Sequence, residues 1–192
     1  EKKNFEGNSF LRLPGENKVM VGSSSWLSHA GKKLFDLRNK NIFRHQLSNV
    51  QSFQVKNKRN LIEIINKEAK WIAPKQPDLV LDQNVIRENI IKINELKAIE
   101  FIAEKEGVPA AKKKLGLGTS SVTIEIKLSE GNWVANVFEA KDKGAYVEVA
   151  GTQQLIKINN EIMDRLNNLS LVSLRDYKLP FASFDKAKVN GL

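Results

Sequence analysis

Apolar and polar residues alternate with a period of two through much of this chain, the signature of strands that bury one face. Over 122–128, Val122, Ile124, Ile126 and Leu128 stand against Thr123, Glu125 and Lys127. Glu130-Gly131-Asn132 turns that segment into a second run over 133–140, and two further strands are predicted over 146–149 and 155–158, around Gly151. An earlier series reads as strands over 50–56, 61–65 and 69–73, with Asn57-Lys58-Arg59-Asn60 as the first turn and Trp71 as the predicted core residue of the third strand. Nearer the start, Phe10-Leu11-Arg12-Leu13 and Lys18-Val19-Met20-Val21 flank Pro14-Gly15 and predict a hairpin. Residues 98–103 either extend the preceding helix or, the reading preferred, form a short strand, and a last strand is expected near 187–189.

Between these runs the period lengthens to that of a helix. Pro74 and Pro77 stop the third strand, and Asp78 or Asp82 is placed to cap a helix whose stripe is Ile86, Ile90 and Ile93. A segment over 26–35 follows the serines of Gly22-Ser23-Ser24-Ser25 and carries Leu27, Ala30 and Leu34 on one face. Another, over 108–115, has Pro109 in its first turn and Gly116 at its end, and a last helix starts at Asn159 or Asn160 with Ile162, Leu166 and Leu169. Strands in runs, joined by hairpin turns and interrupted by a few helices, define an α+β fold with antiparallel sheets and a few packed helices.

One phrase occurs twice. Leu34, Leu37, Arg38 and Ile42 recur as Leu171, Leu174, Arg175 and Leu179, and each copy follows a short strand. The recurrence predicts an internal repeat with a truncated first copy: residues 1–43 as the C-terminal part of a preceding unit and 44–192 as one complete α+β unit. On this reading Leu34 and Leu171 occupy similar core positions, and Arg38 and Arg175 clamp carbonyls in matching settings. The missing initiator Met is read with the repeat as a chain that starts partway through a longer protein.

Composition adds little to the fold but narrows the chemistry. A chain of 192 residues buries roughly 70% of the surface its unfolded form exposes, enough for a proper core. The content of 41% hydrophobic and 28% charged residues is that of a globular protein. No run approaches the ~20 apolar residues of a membrane span, so the chain reads as soluble. The absence of cysteine removes disulfides, thiolate metal sites and a cysteine nucleophile. His29 and His45 have neither the spacing nor the acidic neighbours of a zinc site, and no cofactor is expected. A Ser-His-Asp set drawn from Ser23 to Ser25, His29 and Asp36 lacks a nucleophile-elbow pattern. The glycine-containing loops before residue 26 and over 114–120 lack the P-loop ending, and Asp142 with Glu139, or Glu104 with Glu106, reads as solvated charge.

The net charge of +9 includes three basic clusters, which read either as a dispersed solvated surface or as one anion-binding face. Lys32, Lys33 and Arg38 form the first, Lys58 and Arg59 the second, and Lys112, Lys113 and Lys114 the third. Gathered on one face they make a site for an anionic polymer or membrane surface, be it nucleic acid, acidic polysaccharide or lipid headgroups. No nucleic-acid motif accompanies them.

Trp71-Ile72-Ala73-Pro74, followed by Asp78 and Asp82, then Val85 and a helix closing on Ile93, Leu96 and Ala98, resembles the bacterial domain-of-unknown-function family 4340. Leu115-Gly116-Leu117, Val122-Thr123-Ile124, Ala145-Tyr146-Val147 and Leu174-Arg175-Asp176 with Leu179 extend the likeness over about 48–181. The resemblance implies a membrane-tethered envelope protein of the kind whose genes lie beside gliding-motility or ABC-exporter components. It therefore implies a non-catalytic, extracytoplasmic accessory domain whose partner is an envelope or transporter-associated protein, and it transfers no catalytic residue.

Overall fold

The computed structural model describes residues 4, 6–12, 14–23, 25, 31–141 and 143–177, which fall into two compact units divided between Asn39 and Lys40. The predicted residues of the 26–35 helix up to position 30, and the strand near 187–189, lie outside the described residues.

In the first unit, β1 (Ser9–Arg12) and β2 (Val19–Gly22) form the expected antiparallel hairpin, with Ser9 opposite Gly22. Gly15 takes φ +85° in its turn, a conformation that glycine adopts without a Cβ penalty. A single helical turn, α1 (Leu34–Leu37), follows, its start fixed by the Asp36 carboxylate accepting the Lys33 N–H at 3.0 Å.

The second unit is an eight-stranded antiparallel sheet carrying helices on both faces. Its strands are β3 (Val50–Lys56), β4 (Leu61–Lys67), β5 (Lys70–Ile72), β6 (Glu100–Glu104), β7 (Val122–Leu128), β8 (Asn132–Glu139), β9 (Ala145–Val149) and β10 (Gln154–Ile158), in the spatial order β5-β4-β3-β7-β8-β9-β10-β6. Hairpins join five of the seven neighbouring strand pairs, all but β3-β7 and β10-β6, which is why the antiparallel expectation holds. The α+β class is the observed one.

Alternation along the strands selects two faces. One carries Phe53, Val55, Ile62, Ile64, Ile124, Ile126 and Val147 into the main core. Against it pack α2 (Gln83–Asn94), through Ile86, Ile90 and Ile93, and α4 (Glu161–Asn168), through Ile162, Met163 and Leu166. Each fully buried isoleucine there contributes about 1.5–3 kcal/mol relative to exposure. Asp82 caps α2, its carboxylate accepting the N–H groups of Asn84 at 2.9 Å and Val85 at 3.2 Å. The other face is covered at the β6, β10 and β9 side by α3 (Gly107–Leu115), which buries Val108 with Phe138, Tyr146 and Leu155. Toward β3, β4 and β7 that face is polar, with Glu63, Gln54 and Glu125 in one row and Leu61, Lys56, Thr123 and Asn136 in the next.

Two expectations about single residues change. Trp133 is buried, its ring edge-on to Phe43 at 5.1 Å, whereas Trp71 is only half-buried because β5 is an edge strand with no sheet beyond it. Leu34 and Leu171 do not match either: Leu34 is 74% exposed and Leu171 half-buried against the main core. Their successors Leu37 and Leu174 differ more sharply, at 68% and 1%. The second phrase folds as a 3-10 turn over Val172–Leu174, so the shared letters do not impose a shared local structure.

Candidate functional site

The predicted basic residues separate by unit. Lys32, Lys33 and Arg38 lie around α1 in the first. In the second, Lys58 and Arg59 form the β3–β4 turn and Lys112, Lys113 and Lys114 the last turn of α3. The end of β3 lies beside the start of β7, with Lys56 opposite Thr123, and α3 runs through 116–121 into the same start. Lys58, Arg59, Lys113 and Lys114 therefore lie toward one end of the sheet. Lys112 turns away from that group: its Nζ is 2.9 Å from Glu148 Oε2 and 4.3 Å from the centre of the Phe138 ring. Its charge is thus matched inside a half-buried contact, and three cations at a helix C-terminus also complement the helix dipole without any ligand.

A second feature lies along β4. The two-residue turn bonds the Asn57 N–H to the Asn60 carbonyl at 3.0 Å, and the register then pairs Val55 with Ile62. Antiparallel alternation points the N–H and C=O of the intervening Leu61 and Glu63 away from β3. Across from them β5 has already ended at Ile72, and Pro74 offers no N–H. The half of β4 that carries Leu61 is consequently an open sheet edge. Beside it is a groove of about 440 Å³, walled by Leu61, Leu79, Leu171 and Val172, with Gln76 and Arg175 among its polar lining. Leu61 is 53% and Val172 67% exposed.

The far wall of this groove is held by backbone pairing and by one side chain. Asp82 N–H donates to the Leu174 carbonyl and Asp176 N–H to the Val80 carbonyl, both at 2.9 Å. Asn57, buried in the β3–β4 turn, donates through Nδ2 to the carbonyls of Leu166 at 2.9 Å and Leu169 at 3.0 Å, while its Oδ1 accepts the N–H groups of Arg59 and Asn60. One amide thereby fixes both the basic turn and the chain leaving α4. Arg175, read from sequence as a carbonyl clamp, lies over the Tyr177 ring at 5.9 Å, and Tyr177 Oη donates to the Val172 carbonyl at 3.0 Å.

The opposite part of the sheet edge is closed. Gln83 Oε1 accepts the Trp71 N–H at 2.7 Å and its Nε2 donates to the Trp71 carbonyl at 3.0 Å, so a side-chain amide stands in for the next strand. Trp71 also borders a small apolar groove of about 280 Å³ with Leu47, Ile90 and Ile91.

A cleft of about 550 Å³ separates the end of α2 from the start of α4. Leu96, Ile99 and Ile162 give it apolar walls, and Lys92, Glu95, Lys97, Glu161 and Arg165 give it charge. Leu96 and Ile162 are legible in the linear sequence as helix-stripe residues, but the cleft is not, because the helices that form it are some seventy positions apart.

His45 is exposed and meets Phe43 edge-on at 5.3 Å; His29, Ser24 and Asp142 lie outside the described residues. Among the described residues no group of three or more acidic or histidine side chains is arranged to hold a metal ion. No helix among them is long and apolar enough to cross a membrane.

A family described as "Domain of unknown function (DUF4340)" matches residues 2–117. The match begins well before the segment on which the resemblance was traced and ends before β7. No curated protein and no solved structure matches the chain.

Proposed function

We propose, on the premise that the chain belongs to the DUF4340 family, that it is a non-catalytic interaction domain of a membrane-anchored envelope protein, working outside the cytoplasm. Its partner is an envelope or transporter-associated protein that presents an extended segment to the groove along β4. The observation that carries this reading is the unpaired edge at Leu61 beside exposed apolar walls. Such an edge recruits a strand through its main-chain groups and selects it through side-chain pockets. Charge defines the occupant further. Lys58 and Arg59 stand at the turn end of the groove, and Arg175 lines it, so the segment bears acidic residues around an apolar one.

A photo-crosslinker placed at Val172 in the full-length protein tests this in intact cells. The expected result is a crosslink to an acidic, extended segment of an envelope protein, lost when Leu61→Glu or Arg175→Glu is added and absent from a crosslinker at Glu130. Equal crosslinking from Glu130, or persistence after both charge changes, would remove the groove from consideration.

The second reading, a basic module for an anionic polymer or membrane surface, is favoured by the gathering of Lys58, Arg59, Lys113 and Lys114 toward one sheet end. Recovery of nucleic acid, glycan or lipid from those positions, with a steep salt dependence, would favour it over the first.

A further inference from the structure

From the cleft between α2 and α4 we infer a second binding site, for a small carboxylate with a short apolar body. The cleft's volume of about 550 Å³ falls within the roughly 300–1,000 Å³ of small-molecule sites. Its charges are unequally committed. Lys92 and Glu95 satisfy one another at 2.8 Å. That leaves two cations, Lys97 and Arg165, and one carboxylate, that of Glu161, among its lining residues.

Arg165 is the distinctive member. Glu161 precedes it by one helical turn, the spacing at which opposite charges on a helix ordinarily pair. Its guanidinium turns instead toward α2, where Nη1 donates to Asn89 Oδ1 at 3.3 Å. Asn89 is buried on the inner side of α2, and its Nδ2 is held in turn by the Val85 carbonyl at 2.8 Å. The amide is therefore fixed, and it fixes one edge of the guanidinium while the remaining donors serve the cleft that Arg165 lines. A planar fork oriented before its ligand arrives suits a carboxylate, and the ordering cost of binding falls accordingly. Leu96, Ile99 and Ile162 supply the apolar floor. Lys97, an exposed residue of the lining, adds attraction without geometry.

This site is independent of the β4 groove, and its test does not need the partner protein. The probe is 4-methylpentanoate, with 4-methylpentanamide as its uncharged counterpart. Titrated into the folded protein and followed by amide NMR, the acid is expected to give saturable shifts confined to residues 92–99 and 159–166. Arg165→Gln and the amide probe should each bind roughly tenfold more weakly, and Lys97→Ala about threefold more weakly. Lys127→Ala, an exposed lysine on β7, should bind as the unaltered protein does. Should Arg165→Gln unfold, Arg165→Lys and Lys97→Ala carry the same comparison, since Lys97 is exposed. Shifts that fail to saturate, equal binding of acid and amide, or undiminished binding to both variants would overturn the assignment.

Discussion

Replacing Asn57 with Asp changes one group, an NH2 for an oxygen, at the point where the β3–β4 turn meets the end of α4. The two acceptor roles, from Arg59 at 3.0 Å and Asn60 at 2.7 Å, survive the change. The donor role does not. Nδ2 serves the Leu166 and Leu169 carbonyls at 2.9 and 3.0 Å, with a longer contact to the Asn167 carbonyl at 3.4 Å. The Leu166 carbonyl then keeps the 3.4 Å bond from the Leu169 N–H, and the Leu169 carbonyl the 3.3 Å bond from Asn60 Nδ2. Each lost bond is worth about 1 kcal/mol, and a buried carboxylate oxygen that finds no donor at that point costs about 1–3 kcal/mol more. A carboxylate oxygen now also faces carbonyl oxygens at the negative end of a helix. The sum is a destabilisation of about 3–5 kcal/mol for Asn57→Asp, somewhat less for Asn57→Ala. For a chain of this length that lowers the melting temperature by roughly 6 to 20 °C. Asn60→Ala, which loses the single 3.3 Å bond, should cost under about 1 kcal/mol. Thermal unfolding followed by circular dichroism measures all three. A melting temperature for Asn57→Asp within 2 °C of the unaltered protein would refute the staple.

Three further outcomes follow from the same contacts. Gln83→Leu removes both bonds to Trp71 and should cost about 2–3 kcal/mol in urea unfolding while raising the dimer fraction in gel filtration, because the edge it leaves is open. Ala69, held at φ +63° in the β4–β5 turn beside Glu68 at φ +52°, should gain about 1 kcal/mol of stability on replacement with Gly, read in the same denaturation assay. Ile90→Ala should cost about 2–5 kcal/mol as a core truncation. Half-buried Trp71→Ala should cost less than Ile90→Ala, and the order would reverse if Trp71 were a true core residue.

The legible part of this fold is what local periodicity encodes. Val122 to Leu128 alternate in sequence and in burial alike, and Ile86, Ile90 and Ile93 recur at helical spacing and are buried together. Gly116, past the end of α3, takes the left-handed conformation that its place after the helix predicts. Trp71 shows the limit: its alternation says strand, but the position of that strand at a sheet edge is a property of all eight strands. Asn57 reads as one polar letter in a turn, since its partners lie more than a hundred residues away and leave no periodic trace. Lys112 reads as one of a basic run until β9 brings Glu148 beneath it. The charged cleft was missed for the same reason, for Arg165 and Asn89 become neighbours only when α4 crosses α2.

The open edge of β4 carries the functional reading, and amide hydrogen exchange at Leu61 and Glu63 probes it most directly. With no strand beyond them, both amides should exchange at least as fast as the turn amides in the isolated protein, while Ile62 and Ile64, bonded to β3, stay protected. Adding the partner segment captured by crosslinking should slow Leu61 and Glu63 and leave Ile62 unchanged. Protection of Leu61 and Glu63 equal to that of Ile62 in the isolated protein would mean that the edge is already paired, and would contradict the account.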